Sequence, residues 1–183
     1  EQRWEKLRQG ARWAPQPKQE LILSRPEFEL GFGGARGGGK TDAGLAWTGY
    51  DSEEPRLRGV IVRKNSVDLS DALLRLREIH PRVKIFGNPP VVKFPNRKGE
   101  ILRTKDGELV GGATYFTGHL KDKDAINKWV GQNIQRALIE ELNLVPSEGQ
   151  IAQQFRDAGV EPHFYMDRPT WATPVPNVAP RGI

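Results

Sequence analysis

Hydrophobic residues recur along this chain with two different periods, and short segments of the two kinds alternate. Residues 59–63, GVIVR, form a continuous apolar run that is typical of a strand buried on both faces. Residues 68–80 instead space their apolar side chains three and four apart, so that Leu69 and Leu73 share one helical face. This alternation predicts an α/β fold with a mainly parallel central sheet flanked by helices.

The other predicted elements continue the alternation. Strands are predicted at residues 27–32, 59–63, 113–117, 134–139 and 170–173. Helices are predicted at residues 1–12, 19–23, 41–50, 68–80 and 148–158. Residues 81–112 differ, because short apolar pieces there are separated by turn sequences such as NPP and KDG. That pattern predicts hairpins inserted as edge strands.

Composition narrows the class of protein without identifying its function. A length of 183 residues suits a single domain over 1–183. The absence of Cys excludes disulfides, thiolate metal sites and a cysteine nucleophile, and no apolar run approaches the roughly 20 residues of a membrane span. We therefore expect a soluble intracellular protein. The 28 Lys and Arg against 23 Asp and Glu give a net charge of +5, which permits nucleic-acid binding but is shared by many other proteins.

The strongest chemical signal is the segment GARGGGKT at residues 34–41. It matches the phosphate-binding pattern G-x-x-x-x-G-K-[ST] and lies between a predicted strand and a predicted helix. Glycines let successive N–H groups turn toward phosphate oxygens, and the following helix adds its own unpaired N–H groups. Lys40 is expected to bridge the β- and γ-phosphates, and Thr41 to hold Mg²⁺. The predicted nucleotide-binding residues of the loop are Gly34, Ala35, Arg36, Gly37, Gly38, Gly39, Lys40 and Thr41.

Arg36, inside this loop, has two interpretations. Its guanidinium could reach the γ-phosphate and neutralise charge that develops in the transition state, as an arginine finger supplied in cis. Alternatively it faces solvent or pairs with a carboxylate. The sequence favours neither.

Two adjacent carboxylates, Glu140 and Glu141, follow the apolar strand predicted at residues 134–139. Hydrolysis of a nucleotide needs an acid that supports Mg²⁺ and a base that orients the attacking water. We assign Glu140 to the metal side, where Asp is the usual residue, and Glu141 to the general base. The alternative is a solvated pair at a strand end.

These segments, in their order, resemble the ATPase domain of the large terminase subunit, the DNA-packaging motor of tailed bacteriophages. The resemblance rests on the phosphate loop with its Arg, on PQPKQ at residues 15–19, on the acidic strand and on ATPVPN at residues 172–177. Between them, FPN at 94–96, FTGHL at 116–120 and WVG at 129–131 follow the order of the family's motifs.

The resemblance implies a P-loop NTPase of the additional-strand, catalytic-glutamate class, which hydrolyses ATP with Mg²⁺ and moves double-stranded DNA into a procapsid. It implies that Gln19 recognises the adenine edge and that Thr173 senses the γ-phosphate. It also implies a portal protein and a small terminase subunit as partners, a ring of identical copies, no membrane partner, and the host cell cytoplasm as the location. The family's nuclease domain has no counterpart in these residues, so we expect an ATPase domain truncated at its C-terminal end.

Two other functions use a phosphate loop and stay open at this stage. One is a small-molecule or nucleotide kinase, and the other is a regulatory module in which bound nucleotide only switches partner binding. Basic residues in two segments, 3–12 and 97–105, are candidate contacts with a DNA backbone, although a solvated surface is the simpler interpretation. The three histidines have no metal-ligand spacing and are assigned no chemistry.

Overall fold

The computed structural model contains three helices and nine strands among the residues that it describes. The described residues are 13–25, 29–33, 39–63, 66–119, 133–140 and 163–168. The helices are α1 (Pro17–Leu23), α2 (Lys40–Trp47) and α3 (Ser66–Ile79). The strands are β1 (Glu29–Gly33), β2 (Arg58–Arg63), β3 (Lys84–Phe86), β4 (Val91–Lys93), β5 (Leu102–Arg103), β6 (Leu109–Val110), β7 (Thr114–His119), β8 (Arg136–Ile139) and β9 (His163–Arg168).

Seven strands form one sheet in the order β1-β9-β8-β2-β7-β4-β3. The first five strands in that order pair in parallel, whereas β4 and β3 are antiparallel and form one edge. The predicted α/β fold with a mainly parallel sheet is confirmed. Only part of the predicted insertion joins this sheet, because β5 and β6 pair with each other in a separate two-stranded sheet.

Strand β9 lies between β1, which precedes the glycine loop, and β8, which precedes Glu140. A strand in this place agrees with the additional strand of the predicted class, whereas the catalytic-glutamate part of that prediction is not tested, because Glu141 lies outside the described residues. Strand β9 was not predicted from the sequence. The last predicted strand, residues 170–173, lies outside the described residues, as do the helices predicted at 1–12 and 148–158.

The hydrophobic core explains why these elements pack as they do. Helices α2 and α3 pack against each other and bury Leu45 and Leu73 with Ile61 and Leu138 of the sheet. Val60 and its neighbours in β2 are also buried, which confirms that this strand is covered on both faces. Burial of apolar side chains of this size stabilises a fold by about 1.5–3 kcal/mol each.

The helix boundaries differ from the predictions by a few residues. Helix α1 begins at Pro17, two residues before the predicted start, because proline suits the first helical position, where no N–H bond is needed. Helix α2 ends at Trp47, where turns replace the predicted continuation to residue 50. Among the described residues, no helix is both long enough and apolar enough to cross a membrane.

Candidate nucleotide site

The candidate site lies where the parallel strands end. Strands β1, β9, β8 and β2 all run in one direction, so their carboxyl ends meet at the same edge of the sheet. Ligands of open α/β sheets bind at this edge. The glycine loop follows β1 there, and Glu140 follows β8. The two segments that carry the predicted chemistry therefore share one edge, with β9 between them.

Helix α2 begins directly after the glycine loop. Gly39 precedes its first residue and has φ 69° and ψ 22°, a left-handed conformation that glycine adopts without steric cost. Lys40 and Thr41 are the first two residues of the helix, where unpaired N–H groups and the helix dipole favour anions. The predicted loop thus leads directly into a helix start, but residues 34–38 lie outside the described residues, so its binding of phosphate stays a prediction.

Gln19 connects helix α1 to the end of the glycine loop. Gln19 is only 2% exposed, and its Nε2 donates a hydrogen bond of 2.7 Å to the Gly39 carbonyl. Its Oε1 accepts a hydrogen bond of 2.7 Å from the Gln16 backbone N–H. Gln19 thus lies at the site, with both ends of its amide bound to backbone. The predicted adenine contact of Gln19 stays a prediction.

Arg63, the last residue of β2, links the two halves of the site. Its Nε donates a hydrogen bond to Oε2 of Glu140, and its Nη2 lies 3.5 Å from the Thr41 hydroxyl, at the long limit of a hydrogen bond. The Glu140 side chain is 1% exposed and that of Arg63 is 11% exposed. A carboxylate that is buried so deeply needs a compensating positive charge, which Arg63 supplies.

The two oxygen donors that Arg63 contacts, the Thr41 hydroxyl and the Glu140 carboxylate, are suited to a magnesium ion. Mg²⁺ prefers hard oxygen ligands and keeps several waters, and the Thr41 hydroxyl and Glu140 carboxylate are oxygen donors of that kind. Both side chains contact the Arg63 guanidinium, so both already face one positive charge in this structure. Within the described ranges, no group of three or more His, Cys, Asp and Glu side chains forms a metal cage. A nucleotide-bound Mg²⁺ takes one or two ligands from the protein and the others from phosphate oxygens and water, so these two oxygens would suit such an ion.

A second polar network stabilises the start of α2. Asp42, next to Thr41, accepts two hydrogen bonds from Arg75 of α3 and one of 3.2 Å from the Trp13 indole. Hydrogen bonding to Asp42 raises the pKa of Arg75 further above its usual value. The pair therefore ties α2 to α3 directly beside the proposed phosphate position.

Neither Arg63 nor Arg75 was predicted at the site from the sequence. Arg63 and Glu140 are 77 positions apart, and Arg75 and Asp42 are 33 apart, so no local spacing reveals either pair. A usable signal for Arg63 did exist, because it is a charged residue directly after the buried apolar residues 59–62 of β2. A charge in that place demands a partner.

The remaining predicted site residues cannot be placed in this geometry, because they lie outside the described residues. They are Gly34, Ala35, Arg36, Gly37, Gly38, Glu141 and Thr173. Glu141 directly follows the buried Glu140, and Thr173 follows the end of β9 by five positions in the sequence. Their predicted roles stay predictions.

Comparison with solved structures identifies the fold. No protein-family model and no curated protein sequence matches the chain. The large terminase from a thermophilic bacteriophage matches with a TM-score of 0.60 and 12% identity, over 83% of this chain and 38% of that one. The chain has the fold of a phage large terminase ATPase domain. The ATPase domain of the large terminase of Thermus phage P74-26 is also similar, with a TM-score of 0.50 and 13% identity, over 85% of this chain and 65% of that one.

The first of these two terminases has also been solved in complex with ADP, and that structure matches with a TM-score of 0.54 and 12% identity. The match covers 85% of this chain and 38% of the terminase. The chain thus spans well under half the length of that terminase and about two thirds of the Thermus phage ATPase domain. At these identities the likeness to large terminases concerns the fold.

Proposed function

We propose that this chain hydrolyses ATP at the carboxyl edge of the sheet and that hydrolysis drives the movement of double-stranded DNA, as in a phage packaging motor. One observation carries the proposal: Arg63 brings Glu140, at the end of the acidic strand, beside Thr41, at the start of the phosphate-loop helix. The shared terminase fold and the ADP complex of a terminase with that fold support it.

In the proposed site, ATP lies with its phosphates at the start of α2. Lys40 binds the β- and γ-phosphates, and Arg36 stabilises the charge that grows on the transferred group. Glu141 orients a water for attack on the γ-phosphorus and accepts its proton, while ADP leaves with the electron pair of the broken bond. Mg²⁺, held by Thr41 and by Glu140 directly or through water, would neutralise the phosphate oxygens.

Gln19 and Thr173 are proposed to connect the site to its surroundings. The Gln19 amide donates a hydrogen bond to the Gly39 carbonyl, so a contact between Gln19 and adenine would link base binding to the position of Gly39, the residue before α2. Thr173 is proposed to sense the γ-phosphate. In the sequence Thr173 follows β9, which lies between β1 and β8, the strands that precede the glycine loop and Glu140. This position supports a role in coupling hydrolysis to movement.

The partners are proposals of the same kind. Double-stranded DNA is the proposed substrate for movement, and the proposed assembly is a ring of copies on a portal protein with a small terminase subunit, in the host cell cytoplasm. In the described part of the chain, the β5–β6 hairpin and the turn before it expose four basic side chains, which suit phosphate backbone. They are Arg97, Lys98, Arg103 and Lys105.

The decisive experiment measures phosphate release from ATP without any acceptor molecule, with and without double-stranded DNA. The expected result is release that requires Mg²⁺ and is lost in Lys40→Ala, which also loses nucleotide binding by calorimetry. Lys84→Ala is the matched control, because Lys84 is exposed on β3 at the far edge of the sheet. Release only with an acceptor would indicate a kinase, and binding without turnover, even with DNA and in concentrated protein, would indicate a regulatory module.

A further inference from the structure

Arg63 occupies the position between the two side chains, Thr41 and Glu140, that are proposed to hold the metal. We propose that Arg63 is a positioning residue: it is the counter-ion of Glu140 while the site holds no metal, and it competes with Mg²⁺ for that carboxylate when nucleotide binds. This inference rests on the proposed function, because it places a magnesium nucleotide beside Thr41.

The backbone brings the two charges together. Strands β2 and β8 are parallel neighbours, with Val62 opposite Ile139, and the Glu140 N–H donates a hydrogen bond of 3.0 Å to the Val62 carbonyl. Arg63 and Glu140 therefore extend from equivalent positions at the ends of adjacent strands. The ion pair is built into the register of the sheet and does not depend on a loop.

Burial makes this pair strong enough to matter for metal binding. Glu140 is almost fully buried, and loss of its counter-charge would leave an uncompensated carboxylate inside the protein. Arginine keeps its charge at every physiological pH, and its planar fork can contact two oxygens at once. Arg63 therefore holds the Glu140 side chain in a fixed direction before any metal arrives.

The ion pair between Arg63 and Glu140 also disfavours the binding of Mg²⁺. Two cations beside one carboxylate repel each other, and the repulsion is larger in a poorly hydrated site than in water. Since the Arg63 guanidinium contacts Oε2 of Glu140 and also lies 3.5 Å from the Thr41 hydroxyl, a Mg²⁺ ion bound to these two side chains would lie close to that guanidinium. Arg63 is thus expected to raise the Mg²⁺ concentration that the nucleotide site needs.

The test is a Mg²⁺ titration of the binding of a fluorescent ADP analogue, read by fluorescence anisotropy. Arg63→Met removes the charge and keeps much of the aliphatic stem. The Mg²⁺ concentration at half-saturation should fall about tenfold in this variant, within the usual range of coupling between two ligands. Arg58→Met is the matched control, because Arg58 is the exposed first residue of β2, at the end of the strand opposite to Arg63. Its midpoint should equal that of the wild type.

Two further variants assign the effect to the ion pair. In a Glu140→Gln background, Arg63→Met should no longer shift the Mg²⁺ midpoint, because the carboxylate for which the cations compete is gone. Arg63→Lys keeps the charge without the fork and should give an intermediate midpoint, and it serves in place of Arg63→Met if that variant does not fold. An unchanged or raised midpoint in the variant that folds overturns the proposal.

Failure of the proposed function would look different. A wild-type protein that binds no ADP analogue at any Mg²⁺ concentration contradicts the nucleotide site itself. The counter-ion role is then decided by urea unfolding of the wild type, Arg63→Lys, Glu140→Gln and the double variant. Additive losses of stability overturn that role, whereas a smaller loss in the double variant than the sum of the two supports it.

Discussion

Arg75 holds the Asp42 carboxylate through two parallel hydrogen bonds, of 2.8 Å from Nε to Oδ1 and 2.6 Å from Nη2 to Oδ2. Asp42 is the third residue of α2, so the pair connects the start of that helix to α3. A carboxylate at a helix start is favourable in itself, but here it lies one residue from Thr41, where phosphates are proposed to bind. Arg75 neutralises a charge that would otherwise repel them.

Replacement of Arg75 by Met should therefore weaken nucleotide binding. We expect ADP affinity to fall roughly fivefold, since an unpaired carboxylate near the phosphates acts through a partly hydrated medium. Unfolding stability should fall by only about 1 kcal/mol, because the Arg75 side chain is 39% exposed and water screens the pair. Calorimetry and urea unfolding measure the two effects. Arg77→Met, on an exposed position of the same helix, is the control, and equal ADP affinities in the two variants would refute the charge argument.

Gly39 should tolerate no side chain. Its φ of 69° is costly for any other residue, by about 1–2 kcal/mol, and a Cβ there would overlap Nε2 of Gln19. Gly107→Ala is the matched control, because Gly107 has φ 83° but a Cβ there would meet Arg103 Nη1 at 3.7 Å, an ordinary contact distance. In urea unfolding, Gly39→Ala should lose about 1 kcal/mol more than Gly107→Ala, through the displaced Gln19 hydrogen bond. Only Gly39→Ala should also lose ADP affinity, and equal losses of stability would contradict the packing argument.

His80 should make the fold sensitive to acid. Its Nε2 lies 3.0 Å from the Leu45 carbonyl, which can only accept, so Nε2 carries the hydrogen. Burial lowers the pKa of His80 below its usual value of about 6.5. Below that pH the unfolded chain gains a proton that the folded protein does not, and stability falls by up to about 1.4 kcal/mol per pH unit.

Urea unfolding at pH 7.5, 6.5 and 5.5 measures this dependence. His80→Phe keeps a ring beside Phe94, whose centroid is 5.2 Å from that of His80, but cannot titrate. The free energy of unfolding of the wild type should fall relative to that of His80→Phe as the pH falls through this range. A constant difference would show that His80 makes no contribution to acid sensitivity.

Glu141 should matter for turnover and not for binding. A general base contributes about 10²–10⁴-fold to a rate, so Glu141→Ala and the isosteric Glu141→Gln should lose turnover by that order. ADP affinity should change less than twofold, because the proposed base contacts water and not the nucleotide. Single-turnover phosphate release and calorimetry separate the two quantities. Wild-type turnover in either variant would disprove the assignment.

The sequence predicted those parts of the fold that depend on local pattern. The continuous apolar run of β2 and the amphipathic period of α3 were sufficient to locate both elements within two residues. Strand β9 was missed because its sequence, HFYMDR, mixes apolar and charged residues without a clear period. Its central position depends on pairing with β1 and β8, which belong to other parts of the chain.

The candidate site shows the same division. The glycine loop and the acid after an apolar strand were recognised from local motifs, and the structure brings Thr41 and Glu140 to the same guanidinium, that of Arg63, while their roles stay predictions. Arg63 could not be assigned by spacing, because strand order decides which distant residues become neighbours. Gln19 was predicted at the site, but its bond to the Gly39 carbonyl emerges only when α1 packs beside α2.

The position of β9 has a consequence for how the protein is made. In the described part of the chain, β1 pairs with β9 alone, so the strand that carries the glycine loop joins the rest of the sheet only through residues 163–168. Those residues are the last of the described strands to leave the ribosome. A nascent chain can form β2, β7 and β8 first, but it cannot align the loop with Glu140 until β9 inserts between them. Such distant pairing is slow, so competence to bind nucleotide is expected to be the final event of folding.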